Sequence, residues 1–353
     1  VGDDALWVAS LAERARGLLP EPVADYIDQG ARDGISTAEA AAAWRRLRLR
    51  PHVLRDTRVV DPSVTVLGRA LDVPLGVAPT TLQRAVHPDG ECAVASAVAE
   101  VGGLLVVSSN AGTPFADIGA TGVRWWVQSY LPADRALALP LLARAVDAGA
   151  EAVVLTLDTP VVGTKYARPG VPVVWDVVDP ALLRVNFDAG YAEAPGSEKA
   201  LDLGPGDITW LGRTTGLPVV VKGVLRGDDA VRCVEAGAAA VWVSNHGGRQ
   251  LDRAVATTGA LPEVVAAVDG RAEVYVDGGV RTGLDVATAL ALGASTAFAG
   301  RPVLHALAVS GAGGVRRWWQ EMALQTVEAL RLCGAATVAD TRDLVAPDGL
   351  ASL

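Results

Sequence analysis

The stretch Ala240-Val241-Trp242-Val243-Ser244-Asn245-His246-Gly247-Gly248-Arg249-Gln250-Leu251-Asp252 joins an apolar run to a loop of chemically active residues. Four apolar residues that give way abruptly to polar ones read as a buried strand, and the paired glycines let the following backbone approach a ligand closely. Histidine exchanges protons near neutral pH, and arginine presents a planar fork that grips a carboxylate. One short loop therefore offers a base beside an anion clamp.

The same pattern recurs along the chain. β-rich runs stand at 73–80, 103–110, 124–130, 152–158, 218–224, 240–246, 273–279 and 295–301. Alanine-rich amphipathic stretches such as 88–101, 133–148, 228–236 and 282–292 separate them. Nearly continuous apolar strands alternating with helices mean a parallel sheet covered by helices. Eight such units without a Gly-x-Gly-x-x-Gly turn favour a closed α/β (β/α)8 TIM barrel over an open dinucleotide-binding sheet. The strand ends carry Thr80, Ser108, Asn110, Gln128, Tyr130, Thr156, Asp158, Lys222, Ser244, His246, Asp277 and Arg301. One polar strand end is ordinarily a cap, but a full ring of them on the face where barrels build their sites predicts a ligand site.

Residues 1–353 are expected to form a single domain. Residues 1–70 read as a helical cap that closes the far end of the barrel, 71–335 as the barrel and 336–353 as a C-terminal tail. Between 160 and 205 the pattern dissolves into Pro, Gly, Asp and Ser with isolated aromatics, a lid loop after the fourth strand. Half of the residues are apolar, 38 are glycine and the net charge is −9 without a basic block, which argues against nucleic acid and acidic membranes as partners. Cys92, Cys233 and Cys333 have no metal-like spacing and no metal is expected. The N-terminus shows no charged-then-apolar leader, no run is long enough to span a membrane, and Ala351-Ser352-Leu353 lacks the central lysine of a peroxisomal tripeptide. A soluble, cytoplasmic protein is expected.

Strand seven ends Asp277-Gly278-Gly279-Val280-Arg281 and strand eight Ala299-Gly300-Arg301-Pro302. Two glycine-rich loops, each with an arginine and each opening a helix, predict a phosphate-bearing ligand between them, because helix N-termini and exposed amides favour anions. Asp277 is expected to hold a ribityl or ribose hydroxyl.

Taken together, these motifs resemble the FMN-dependent α-hydroxy-acid oxidase and dehydrogenase family, which includes enzymes acting on glycolate, lactate and mandelate. The resemblance runs from Asp25-Tyr26 through Ala78-Pro79-Thr80, His87-Pro88-Asp89-Gly90-Glu91, Thr156-Leu157-Asp158-Thr159-Pro160 and Val221-Lys222-Gly223-Val224 to the His246 loop, Asp277-Gly278-Gly279 and Gly300-Arg301-Pro302. It implies FMN as cofactor and oxidation of an (S)-2-hydroxy acid, lactate- or mandelate-like, to the 2-oxo acid, with dioxygen taking the electrons as hydrogen peroxide. It also implies a homotetramer. His246 would be the base and Asp158 would steady the resulting imidazolium. Arg249 and Tyr26 would hold the substrate carboxylate, and the Tyr130 hydroxyl would bond the reacting oxygen. Lys222 would face the N1–C2 edge of the flavin. Ser108, Gln128, Thr156 and the backbone of Ala78, Pro79 and Thr80 would bond the ring system, with Ser244 beside them. Gly278, Gly279, Arg281, Gly300 and Arg301 would receive the phosphate.

Three departures stand out. Thr81 replaces the family's small residue beside flavin N5, where it would crowd that edge or donate a hydrogen bond to it. Lys165 replaces a second substrate-binding arginine, a role Arg168 could assume. Asn110 replaces a bulky aromatic and predicts a roomier or more polar pocket. Two other enzymatic readings keep the fold and the flavin: a dehydrogenase with another acceptor, and a tailoring oxidase acting on a peptide-derived substrate. The intact set of His246, Arg249, Tyr26, Tyr130, Asp158 and Lys222 argues against a non-catalytic flavin binder.

Overall fold

The structure, a computed structural model, describes residues 2–346. The expected tail beyond 346, with Ala351-Ser352-Leu353, lies outside the described residues. A short antiparallel hairpin, β1 (Val64–Val66) and β2 (Arg69–Leu71), precedes eight parallel strands. These are β3 (Leu75–Val77), β4 (Leu104–Ser108), β5 (Arg124–Ser129), β6 (Val153–Thr156), β7 (Val219–Val224), β8 (Ala240–Val243), β9 (Glu273–Val276) and β10 (Thr296–Ala299). They close into a barrel when β10 pairs with β3, Ala297 opposite Leu75 and Ala299 opposite Val77.

Most strands stop short of the expected bounds at their C-terminal ends. β8 leaves the ladder at Val243, and Ser244 to His246 turn into the barrel mouth. The polar residues at these ends hydrogen-bond to one another across strands instead of extending the ladder. The amphipathic stretches form the helices Gly90–Glu100, Leu139–Asp147, Gly227–Glu235 and Gly283–Ala291, which lie outside the strands. The second is shorter than its pattern because Asp134 caps a 3-10 turn, Arg135–Ala138, ahead of it.

Inside the barrel, Trp126, Trp242, Tyr275 and Phe298 are fully buried and pack into one aromatic layer, with Trp242 and Phe298 centred 3.9 Å apart. Gly76 on β3 admits this layer: a Cβ there would lie 2.2 Å from Phe298 Cε1. Val66 and Leu71 of the hairpin pack beneath it, and Leu67 N–H donates to Glu273 Oε1.

The expectation that helices of residues 1–70 close the far end is therefore corrected. The hairpin closes that end, while the helices Glu21–Asp28 and Ile35–Arg46 cover the opposite mouth. There Ala31 N–H donates to Gly248 O, Thr37 Oγ1 to Gly247 O and Trp44 Nε1 to Gly278 O. The reason lies in unpaired carbonyls: the glycine loops leave them bare, and these helices supply the donors.

The lid is docked rather than loose. Three 3-10 turns (Val174–Asp176, Pro180–Leu183 and Tyr191–Glu193) give it local order. Val174 and Val178 join a core with Val23, Ile27, Leu82 and Leu304. Buried Asn186 accepts from Phe115 N–H and donates to Thr113 O. Among the described residues no helix is long and apolar enough to cross a membrane.

Candidate active site

His246 sits at φ +56° and is followed by Gly247 at +62° and Gly248 at +75°, three consecutive left-handed residues. Such a conformation costs a non-glycine residue energy that the surroundings must hold in place. Gly248 is obligatory for a further reason, since a Cβ there would lie 2.4 Å from Thr37 Oγ1. The turn brings His246 Nδ1 to 2.9 Å from Asp158 Oδ1 and leaves Nε2 for the cavity. Burial alone would raise the Asp158 carboxyl, but His246 and then Lys222 outweigh it and hold it below the ordinary carboxylate range. Room for Asp158 comes from a bulge in β7. The register slips between Lys222 and Val224, and Gly223 at φ +103° has no Cβ to strike Asp158.

Arg249 spends Nη1 on the carbonyls of Tyr26 (2.6 Å), Ile27 (3.3 Å) and Gln29 (2.9 Å). Nε and Nη2 remain as a two-pronged edge for an anion. Its guanidinium lies over the Tyr26 ring at 4.8 Å, and Tyr26 in turn meets Trp175 edge-on. The Tyr130 phenol is pushed far up by burial and by Asp158, so it stays a protonated donor. Lys165 lines the same cavity with Nζ on Gly163 O at 2.9 Å; burial and Arg249 bring its pKa down to about 8.

Several expectations about neighbouring residues are corrected. Arg168 does not take over from the missing arginine, because its guanidinium is paired with Glu21 and Asp25. Asn110 lines the cavity, with one Nδ2 hydrogen donated to Leu183 O of the lid at 3.0 Å. The Thr81 hydroxyl donates to Asn110 O at 2.9 Å, so the donor foreseen for the flavin edge is already used. Asp277 lines the cavity and is held in place there, with Oδ1 accepting from Ser244 and Oδ2 paired with Lys222 Nζ at 2.9 Å, which leaves each oxygen a further lone pair. Ser244 is fully buried behind the wall, where it bonds Lys222, Asp277 and the His246 N–H. In each case a neighbour distant in sequence meets the polar group first.

One cavity of about 870 Å³ joins the remaining residues, with Ala78, Pro79, Thr80, Thr81, Ser108, Gln128, Thr156 and Lys222 along one wall. Gly278, Gly279, Arg281, Gly300 and Arg301 line its deep end. The lining fits FMN. Gln128 Nε2 and Thr156 Oγ1 are buried there without a partner, as donors awaiting a polar ring would be. Burial, with Arg249 and Arg281 nearby, lowers Arg301 to about 9, and burial lowers Arg281 as well. Among the described residues neither arginine forms an ion pair, so a phosphate dianion would supply the missing counter-charge. Gly300 opens the helix Arg301–Leu332, whose N-terminal end faces the same place. Among the described residues there is no His/Cys/Asp/Glu group that could hold a metal ion.

Lys199 also lines the cavity, with Nζ 3.8 Å from the centre of the Tyr130 ring. Sequence reading passed over it because a single basic residue at the end of an irregular lid carries no periodic or motif signal. Thr159, whose hydroxyl donates to Asp158 Oδ1 at 3.1 Å, was likewise unassigned.

The family model described as FMN-dependent dehydrogenase matches residues 15–347. The chain is 42% identical over 317 residues to glycolate oxidase 3 of Arabidopsis thaliana, covering 87% of this chain and 86% of that one. It is 39% identical over 357 residues to 4-hydroxymandelate oxidase of Amycolatopsis orientalis, with 96% and 97% covered. A solved mandelate oxidase with benzoyl-formic acid superposes with a TM-score of 0.85 at 38% identity, over 95% of this chain and 96% of that one. With its barrel, its paired histidine and its phosphate-ready arginines, the chain belongs to the FMN-dependent dehydrogenase family.

Proposed function

We propose that this protein oxidises an (S)-2-hydroxy acid, lactate- or mandelate-like at its reacting carbon, to the 2-oxo acid, with dioxygen reduced to hydrogen peroxide. The observation that carries the proposal is the His246–Asp158 pair at 2.9 Å on the same cavity as the free edge of Arg249. Arg249, aided by Lys165, binds the substrate carboxylate and so fixes the 2-carbon against the histidine. His246 Nε2 accepts a proton from the substrate, and ionised Asp158 balances the charge that develops on the imidazole. Tyr130 donates its O–H to the reacting oxygen, and the docked lid keeps bulk water out. FMN, when bound, supplies the acceptor for the electron pair leaving the substrate carbon, and dioxygen then takes that pair with two protons. Relatives named as glycolate and 4-hydroxymandelate oxidases share the 2-hydroxy acid unit and support this reading. The family resemblance adds a homotetramer, which sizing by light scattering would check.

The test is anaerobic mixing of the yellow holoprotein with (S)- and (R)-2-hydroxy acids, followed by air. Bleaching by one enantiomer with rapid recovery and stoichiometric peroxide is the expected result. Slow recovery would assign a different acceptor. A flavin that dithionite bleaches but no hydroxy acid does would refute the reading and favour a peptide-derived substrate.

A further inference from the structure

The substrate end of the cavity holds more positive charge than a simple 2-hydroxy acid can use. Lys165, Lys199 and Arg249 all line it. The carboxylates nearby are already committed: Asp158 to His246, Asp25 to Arg16 and Arg168, Asp28 to Arg16 and His305, and Asp277 to Lys222. Among the described residues neither lysine forms an ion pair. Burial pulls Lys199 down to about 8, against the attraction of Asp158 and with the repulsion of Lys165. An ammonium in that condition is a group whose counter-ion arrives with the ligand.

Lys199 is also held in place rather than waving over the mouth. Its backbone forms an isolated antiparallel bridge with Pro132, Ala133 N–H donates to Glu198 O at 2.8 Å and Ala200 N–H to Leu131 O at 3.0 Å. This short ladder joins the end of the lid to the loop after β5, two residues beyond Tyr130, and sets the ammonium on the Tyr130 face.

Resting on the oxidase reading above, we propose that the substrate is a 2-hydroxy dicarboxylic acid. Arg249 and Lys165 hold the carboxylate next to the hydroxyl, and Lys199 holds the second carboxylate at the far end of the side chain. One monocarboxylate leaves an ammonium unanswered in the cavity; the second carboxylate answers it. Lys199 is thus a specificity-determining residue. The reaction balances as in the parent proposal, because the second carboxylate takes no part in bond making or breaking.

The experiment compares matched pairs on the holoprotein: (S)-2-hydroxyglutarate against (S)-2-hydroxypentanoate, and (S)-2-hydroxysuccinate against (S)-2-hydroxybutanoate. In at least one pair the rate constant for anaerobic flavin reduction over KM should favour the diacid by about tenfold or more. Lys199→Met should collapse that ratio and Lys199→Arg should keep it. In parallel, 2-oxoglutarate is titrated against the flavin absorbance, with Lys199→Met expected to weaken it about tenfold. Equal rates for diacid and monoacid in both pairs would overturn the proposal. So would a Lys199→Met variant that slows both members alike, since that marks a residue acting only through Tyr130. If no hydroxy acid reduces the flavin yet 2-oxoglutarate binds in a Lys199-dependent way, the anion subsite stands and the oxidase reading falls. If 2-oxoglutarate fails too, both fall.

Discussion

Lys165 shows how a single side chain sets a pH limit. Half-buried beside Arg249, it has its pKa lowered to about 8, so it is charged below that pH and neutral above it. Its grip on the substrate carboxylate is therefore complete at neutral pH and lost as pH rises through about 8. We expect KM for the hydroxy acid to climb across that window, and Lys165→Arg to flatten the climb, because guanidinium stays protonated. Steady-state kinetics from pH 6 to about 10 on both proteins would check this; an unchanged slope in the variant would remove Lys165 from substrate binding. Asp158 works in the opposite sense. Held ionised at neutral pH, it supplies the negative charge behind His246, and Asp158→Asn should lower the rate of flavin reduction by about 10²–10⁴-fold while leaving FMN content intact. Stopped-flow bleaching measures it, and a loss below tenfold would assign Asp158 a merely structural part.

At the scale of the element, the bulge in β7 matters as much as any catalytic side chain. Gly223 sits at φ +103°, and an added Cβ would lie 2.7 Å from Asp158 Cβ and Cγ. Gly223→Ala should destabilise the fold by about 1–3 kcal/mol. The shifted Asp158 should also cost about 10²-fold in turnover, beyond what stability alone explains. A thermal melt and turnover well below the melting point separate the two effects. Full activity in the stable fraction would mean that Asp158 tolerates the shift. The lid tells a similar story: its sequence is irregular, yet Asn186 and the two valines dock it onto neighbouring elements.

At the scale of the whole molecule, the barrel gathers like charges and depends on a ligand to offset them. Arg249 and Arg281 both repel the Arg301 guanidinium, and burial magnifies the effect. Binding FMN to the native state alone should add about 4 kcal/mol at a thousandfold excess over Kd. The apoprotein should melt well below the holoprotein, and inorganic phosphate should recover part of the difference. Scanning calorimetry decides; coincident melting temperatures would show that the arginines need no anion.

Sequence by itself determined the barrel, the order of its strands and the location of the mouth, because apolar runs of period and length suited to parallel strands are local signals. It also pointed to His246, Arg249 and the paired Gly-Arg loops, where glycine and charge fall within a few residues of each other. Only the tertiary structure decided which polar groups were already taken. Arg168 is spent on Glu21 and Asp25, the Thr81 hydroxyl on Asn110 O, and Asn110 Nδ2 on the lid. Tertiary packing likewise put the hairpin rather than the helices under the barrel and brought Lys199, far along the chain, onto Tyr130. The physical reason is the range of the forces. Hydrophobic periodicity is written along a few turns of chain, whereas a hydrogen bond or an ion pair is settled by whichever partner folding brings within about 3 Å.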